Sequence, residues 1–259
     1  MDRAGTEFSG RGVWTNLTQA PRQRMAQIHE IAAHLVLPSL KYGGYRFSPS
    51  EIALHASGVT RRQASALQHR FAVDFLQDPE EFAEVCLRLR LADGTGASKH
   101  VGWSEIDKAD GERLNRSGAF CLLIGSTEQP IGLLLGRRSI VVGGDDENCT
   151  CAVTYELDLK LLYVATEHRG LFNSHALTLA VEYMAREDMD DIARQIEAGP
   201  RAATLNAVLH GEPNTPAGLA AAQAIHVALN EVYADEGGPQ QPVGRRYLGY
   251  KGCQEEWEI

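Results

Sequence analysis

Residues 155–184 read YELDLKLLYVATEHRGLFNSHALTLAVEYM, and this stretch decides the fold. It begins with the alternation of a β-strand, breaks at a polar turn around Arg169 and Gly170, and resumes at helical spacing. Asn173 or Ser174 is placed to cap the helix. A strand that leads directly into a helix N-terminus is suited to binding phosphate, because the first N–H groups of a helix have no partner within it.

The strand half of this stretch has two different faces, and its alternation extends back to residue 153. The face that we expect in the core carries Val153, Tyr155, Leu157, Leu159, Leu161 and Tyr163. The polar face carries Thr154, Glu156, Asp158 and Lys160. The pattern therefore predicts a strand packed on one side, whose polar side is either solvated or lines a site.

Length and composition are those of an ordinary globular protein. The chain has 259 residues, 44% hydrophobic and 23% charged, which allows one large domain or two small ones. No run reaches the roughly 18 uncharged apolar residues of a membrane span, and the first ten residues lack the apolar core of a signal peptide. We therefore expect a cytoplasmic protein with no membrane partner.

Cysteine spacing and known catalytic motifs exclude several classes. The five cysteines are irregularly spaced and form no CxxC pair, which predicts free thiols in a reducing compartment and no metal site. The sequence contains no GxSxG, GxxxxGK[ST] or HExxH motif. Serine hydrolases, P-loop NTPases and zinc proteases therefore have no local support.

Charge is distributed unevenly along the chain. Residues 1–77 contain nine Lys and Arg against five Asp and Glu, a balance of +4, and residues 78–259 contain sixteen against twenty-nine, a balance of −13. An acidic body disfavours bulk nucleic-acid binding and suits a cationic substrate, although a merely soluble surface has the same composition.

The first 78 residues are predicted to form a helical segment ahead of a domain at 79–259. An apolar rhythm in PRQRMAQIHEIAAHLVLPSL predicts a helix that Pro38 ends. The rhythm places Met25, Ile28, Ile31, Ala32 and Leu35 on one side of this helix.

The next stretch, FSPSEIALHASGVTRRQ, has the layout of two short helices. Ser48 or Ser50 is placed to cap the first, Gly58 makes the turn and Thr60 is placed to cap the second. This layout resembles a DNA-binding helix-turn-helix. A helical hairpin that packs on the body fits equally well.

Strand patterns dominate the middle of the body. AFCLLIGSTEQPIGLLLGRRSIVVGG, residues 119–144, reads as an antiparallel hairpin that leads into the long strand. After the helix come a possible strand at 202–211, a helix at 216–238 and a closing strand or hairpin at 245–259. The predicted class is α+β, with a central mixed, mostly antiparallel sheet flanked by helices.

This order of elements resembles the GNAT superfamily of acyl-CoA-dependent N-acyltransferases. The local match is LYVATEHRGLFNSHALTLAV, which is similar to the family's strand, its R-G-x-G-x-G/A turn and the following helix. Arg169 and Gly170 occupy the first two motif positions and Ser174 the last. Phe172 stands where a glycine is expected, and Thr166 replaces a common proline.

The resemblance implies acetyl-CoA, or another acyl-CoA, as co-substrate and an amine of a small molecule or protein as acceptor. The residues that it places at the coenzyme are Tyr163, Val164, His168, Arg169, Gly170, Leu171, Phe172, Asn173 and Ser174. It also implies an acid that protonates the departing thiolate. Tyr233 stands at that place, four residues before Gly237, although a tyrosine near a helix end is often a packing residue.

The chemistry itself requires a base. An amine with a pKa of about 10.4 must lose a proton before it attacks a thioester, which costs about 4.6 kcal/mol at neutral pH. Glu156 and Asp158 are the candidates, because they share the polar face of the strand that leads to the turn. The reaction that we expect is direct attack of the amine on the thioester in a ternary complex. The alternative is a DNA- or protein-binding regulator that uses the N-terminal segment and carries an inactive body.

Overall fold

A computed structural model of the chain describes residues 11–38, 44–47, 50–55, 65, 103–106, 113–125, 130–145, 150–170, 173–211, 213, 215–234 and 246–257. The helices in these ranges are α1 (Arg11–His34), α2 (Asn173–Ala198) and α3 (Pro216–Ala234). The strands are β1 (Gly44–Phe47), β2 (Ser50–His55), β3 (Ser104–Ile106), β4 (Arg113–Gly125), β5 (Pro130–Asp145), β6 (Thr150–Val164), β7 (Ala203–Gly211) and β8 (Tyr247–Trp257). A short 3₁₀ turn, Thr166–His168, joins β6 to α2.

The described strands form one mixed sheet. Their order is β1-β2-β4-β5-β6-β7-β8, and β3 pairs with β4. Pairing is antiparallel from β1 to β6, whereas β7 is parallel to both β6 and β8. Parallel neighbours need a crossover connection, which α2 and α3 provide. The fold is therefore α+β, as predicted, and the elements from β4 to β8 follow the predicted order.

Helices from both ends of the chain cover one face of this sheet. Ile28 of α1, Leu177 of α2 and Ile225 of α3 are buried in a single cluster with alternate residues of the strands. The buried positions of α2 recur every three or four residues, which is the stripe that an amphipathic helix turns toward a core. We call this face of the sheet the helix face. We call the opposite face, which carries Glu156 and Asp158, the polar face.

A β-bulge in β6 changes which of its residues reach the helix face. β5 pairs Gly136 with Leu159 but Leu135 with Leu161, so Lys160 is the extra residue of the bulge. An extra residue shifts the alternation by one position. The residues that pack on the helix face are Val153, Tyr155, Leu157 and Leu159 before the bulge, and Leu162 and Val164 after it. The prediction that Leu161 and Tyr163 share that face is wrong, because it assumed an unbroken ladder.

Residues 50–55 form a strand rather than the first helix of a helix-turn-helix. β1 and β2 pair from Gly44↔Ala53 to Phe47↔Ser50, and β2 also pairs with β4. The prediction that Ser50 caps a helix is therefore wrong, because hydrogen bonds to two neighbouring strands outweigh a weak local preference for helix. Ser48, Gly58 and Thr60 lie outside the described residues.

The N-terminal segment and the body share one core. The predicted helix is confirmed as α1, whose Ile28, Ile31, Ala32 and Leu35 are buried. Gln195 of α2 donates to the carbonyl of Val36 at 3.0 Å and accepts from its N–H at 2.6 Å. The predicted boundary at residues 78 and 79 lies outside the described residues and stays a prediction.

An ion pair is buried where these elements meet. Arg138 of β5 donates through Nη1 to Asp188 of α2 at 2.5 Å, and each residue is about 4% exposed. Arg138 Nη2 donates to the carbonyl of Pro38 at 2.5 Å, and the Tyr155 hydroxyl donates to Asp188 at 2.9 Å. Burial raises the pKa of Asp188, while Arg138 and Tyr155 oppose that rise. Two strands, α2 and the segment after α1 are thus joined through one carboxylate and one guanidinium.

We expect Asp188→Asn to destabilise the protein by about 3–5 kcal/mol, because it leaves the Arg138 guanidinium buried without a counter-charge. Urea unfolding followed by circular dichroism measures this loss. The double variant Arg138→Met/Asp188→Leu removes both charges and should be more stable than Asp188→Asn. A double variant at least as unstable as the single one would show that the charges do not depend on each other.

Candidate functional site

The end of β6 extends past its parallel neighbour. Pairing with β7 runs from Cys151↔Ala203 to Leu159↔Gly211, where β7 ends, but β6 continues to Val164. On its other side β6 stays paired with β5 as far as Gly132↔Val164. Residues 160–164 therefore have no β7 partner, and the bulge lies where the two strands part. An opening in a sheet next to a helix N-terminus can admit an extended ligand along the strand edge.

The turn after β6 is held by local hydrogen bonds. Gly170 has a φ of +78°, and a Cβ there would meet nothing within 4 Å, so the backbone conformation rather than space calls for glycine. Asn173 is buried and donates from Nδ2 to the carbonyl of His168 at 2.9 Å. Asn173 is thus the first residue of α2, and its amide ties the helix to the turn.

Arg169 folds back onto the end of β6. Its Nε donates to the carbonyl of Val164 at 2.8 Å, and its guanidinium carbon lies 5.7 Å from the centroid of the Tyr163 ring. This distance is within the range of a cation–π contact. The side chain of Arg169, a residue predicted to lie at the coenzyme, therefore lies against the strand end.

The first turn of α2 supplies the candidate anion site. Ser174 and His175 are exposed there, and the first N–H groups of a helix carry a partial positive charge. Tyr163 and Val164 are buried at the strand end, and His168 lies 3.7 Å from Glu167. The predicted coenzyme residues that the structure brings together here are Tyr163, Val164, His168, Arg169, Gly170, Asn173 and Ser174. Leu171 and Phe172 lie outside the described residues.

The polar face of the sheet carries the candidate bases, which lie on β6 well before this turn. Strand register places Ser139, Glu156 and Val208 in one row across β5, β6 and β7. The next row toward the turn contains Arg137, Asp158, His210 and Glu256, contributed by β5, β6, β7 and β8. Glu156 and Asp158 therefore project from the same face, as predicted, and both precede the opening.

Glu156 is the better placed of the two carboxylates to accept a proton. It is half-buried, and burial raises its pKa, with His210 and Arg113 opposing the rise. Asp158 is bound to Lys160 of the bulge at 2.9 Å. Partial burial makes the Glu156 carboxylate a stronger proton acceptor, whereas the Asp158 carboxylate already faces an ammonium group.

Three polar residues of β7 and β8 at this face were not predicted. Asn206 pairs in register with Thr154, and its Oδ1 has no hydrogen-bond partner among the described residues. His210 Nδ1 lies 3.1 Å from Glu256 Oε2. The alternation of ATLNAVLHG puts Asn206 and His210 on one face, but only the register brings them beside β6.

Tyr233 lies in the last turn of α3, and its side chain is outside the described residues. The helix joins two parallel strands, so it runs back from the end of β7 toward the start of β8. Over 19 residues it spans about 28 Å. The backbone of α3 therefore ends on the helix face toward the start of β8, and the role of Tyr233 stays a prediction.

The described part of the chain has neither a candidate metal-binding group nor a candidate membrane-spanning helix. It contains no group of three or more His, Cys, Asp or Glu side chains that could hold a metal ion. Among the described helices none is long and apolar enough to cross a membrane.

Comparison with known proteins gives likenesses to solved structures. No family model matches this chain, and no curated protein matches it. The crystal structure of a ribosomal-protein-alanine N-acetyltransferase from Brucella melitensis biovar Abortus 2308 is similar at 16% sequence identity, with a TM-score of 0.29. The match covers 74% of this chain and 93% of that one. The fold assignment rests on the strand order and register, since a TM-score this low carries no argument.

We expect Glu156→Gln to raise the melting temperature at pH 8 by about 1–3 °C and to change it little at pH 4. Because the folded-state pKa of Glu156 is raised, its contribution to stability is present at low pH and is lost as the pH rises through that pKa. Differential scanning calorimetry at both pH values measures the difference. Asp158→Asn is the control and should give no such gain, since it breaks the ion pair with Lys160. An equal gain for Glu156→Gln at both pH values contradicts the argument.

Proposed function

We propose that this protein transfers an acyl group from an acyl-CoA, acetyl-CoA in the simplest case, to an amine. The observation that carries the proposal is the opening at residues 160–164 of β6, which lies between the half-buried Glu156 and the N-terminus of α2. A ligand that has both an extended amide-containing arm and phosphates fits a strand edge that ends at a helix N-terminus. The thioester of such a ligand supplies the acyl group.

The residues that hold the coenzyme in this proposal come from three local elements. The part of β6 that runs past the end of β7, at Tyr163 and Val164, lies beside the arm. The N–H groups at Ser174 and His175 offer donors to the phosphates, each worth about 0.3–1 kcal/mol when exposed, so several act together. Arg169 lies beside both elements and adds a positive charge there.

Glu156 is the proposed base in this mechanism. It takes a proton from the ammonium form of the acceptor, directly or through one water molecule. Its raised pKa makes the carboxylate a better acceptor than an ordinary glutamate. Asn206 lies one row away on β7 and offers a carbonyl oxygen to an N–H of the acceptor. The acceptor is a cationic small molecule or a protein amine, in keeping with the balance of −13 over residues 78–259.

Direct attack by the amine is supported by the state of the described thiols. Burial raises the pKa of Cys121, Cys151 and Cys253, in the last case to about 12. A thiol nucleophile needs a thiolate, which these environments disfavour. These three cysteines are therefore poor candidates for an acyl-enzyme, which favours a ternary complex. Cys86 and Cys149 lie outside the described residues.

We expect acetyl-CoA at 100 times its Kd to stabilise the protein by about 2.7 kcal/mol, which thermal denaturation detects. Ser174→Glu should abolish this shift, because a carboxylate at the start of α2 repels phosphate. The same carboxylate interacts favourably with the helix dipole, so the ligand-free variant should be as stable as wild type or up to about 1 kcal/mol more stable.

Ala202→Glu is the matched control for that experiment. It adds the same charge at an exposed position next to the start of β7, at the opposite edge of the sheet. This variant should keep the full acetyl-CoA shift. Absence of any shift in wild type, or an undiminished shift in Ser174→Glu, contradicts the proposed coenzyme site.

We expect Glu156→Gln to lower kcat for acetyl transfer by about 10²–10⁴-fold while KM for acetyl-CoA stays near that of wild type, because the variant lacks the base. Thiol release with a panel of polyamines, aminoglycosides and lysine peptides measures the rate. Asp158→Asn should lose far less activity. Equal losses in the two variants would show that the face acts only through its total charge.

A further inference from the structure

An ion pair on the polar face adjoins the proposed base, although the proposed function does not use it. His210 Nδ1 on β7 lies 3.1 Å from Glu256 Oε2 on β8, and the two side chains are 32% and 62% exposed. Register puts His210 beside Asp158, one row from Glu156. The imidazole is thus partly exposed, lies one row from a half-buried carboxylate, and is contacted at Nδ1 by a carboxylate of the outer strand.

The charged groups that face Glu156 come from every neighbouring strand. Among the described residues they are Arg113 of β4, Arg137 of β5, Asp158 and Lys160 of β6, His210 of β7 and Glu256 of β8. Lys160 is bound to Asp158, and Arg113 and Arg137 are exposed. The largest favourable charge interaction of Glu156 is with His210. Among these basic groups His210 therefore lowers the pKa of Glu156 most, and it is the one imidazole among them.

The contact with Glu256 determines how the ring can act. A carboxylate at Nδ1 favours the proton on that nitrogen, which leaves Nε2 as the site where a second proton is gained or lost. A ring held in this way can stabilise an adjacent carboxylate when protonated and accept a proton when neutral.

We propose that His210, oriented by Glu256, is a positioning residue for Glu156: it stabilises the ionised carboxylate and passes the proton of the amine on to solvent. The inference rests on the proposed acyl transfer and deepens it. When an ammonium group is acylated to an amide and the coenzyme leaves as a thiol, one proton is released in each cycle. That proton moves from the amine nitrogen to a Glu156 oxygen, then to His210 Nε2 and then to water, while the Nδ1 proton stays with Glu256.

The test compares the pH dependence of kcat/KM in three variants. His210→Gln removes the charge, so the acidic limb of the profile should move to higher pH by about 0.5–1 unit, somewhat below the shift that a direct ion contact gives. His210→Lys keeps a positive charge and should keep the limb at or below its wild-type position. A merely structural role of His210 would lower the rate without moving the limb.

His226→Gln is the matched control. His226 of α3 also faces a glutamate, with Nδ1 3.6 Å from Glu255 Oε2, but it contacts the carbonyl of Cys253 on the helix face. The acidic limb of this variant should coincide with that of wild type. A limb that moves equally in His226→Gln and His210→Gln overturns the inference.

A measurement without substrate separates this inference from the proposed function. Carbon-13 NMR titration of the Glu156 carboxyl carbon should give a higher midpoint in His210→Gln than in wild type. If acyl transfer proceeds but neither the limb nor the midpoint moves, the inference fails and the proposed function stands. If wild type transfers no acyl group to any amine of the panel, the proposed function fails. In that case a higher titration midpoint of Glu156 in His210→Gln still supports the coupling of His210 to Glu156, and an unchanged midpoint overturns it.

Discussion

The buried pair of Arg138 and Asp188 is the interaction on which the arrangement of the sheet and helices depends. A guanidinium and a carboxylate that are each about 4% exposed are tolerable only while they face each other. Arg138 Nε has no hydrogen-bond partner among the described residues, but each of the two groups makes a further hydrogen bond. Those bonds reach Tyr155 of β6 and the carbonyl of Pro38. The chain after α1 is thereby fixed beneath the central strands, and α2 is fixed in the register that brings its N-terminus to the end of β6.

The bulge at Lys160 shapes the part of β6 that borders the candidate site. It lies where β6 loses its β7 partner, so it changes the direction of the side chains at the same point at which the strand edge opens. After the bulge Tyr163 belongs to the polar face, where Arg169 stacks on it. Before the bulge Glu156 and Asp158 keep the polar side that the ladder gives them. One extra residue thus separates the proposed proton chemistry from the proposed coenzyme edge.

The electrostatics of the polar face follow from the parallel half of the sheet. Parallel register sets residues of β6, β7 and β8 side by side on one face, which brings Asp158, His210 and Glu256 into a row. Each carboxylate in or near this row is either ion-paired, as Asp158 is with Lys160, or half-buried with a raised pKa, as Glu156 is. Neighbouring carboxylates with such different surroundings can have different roles, and Glu156 is the one proposed as the base.

The sequence by itself determined the local elements of the body, which are the hairpin, the long strand, the turn at Gly170 and α2. It also determined the order of strands and helices along the chain from β4 to β8, and the polar side of β6 with Glu156 and Asp158. These follow from periodicity and turn chemistry, which act over a few residues. Tertiary structure decided the strand character of residues 50–55, the face of Leu161 and Tyr163, the pairing of Arg138 with Asp188, and the position of His210 beside Asp158. Each of these depends on hydrogen bonds or charges contributed by residues distant in the chain, so no local pattern contains them. Tyr233 shows the same limit, because spacing places it near a glycine, whereas the crossover of α3 determines which edge of the sheet it reaches.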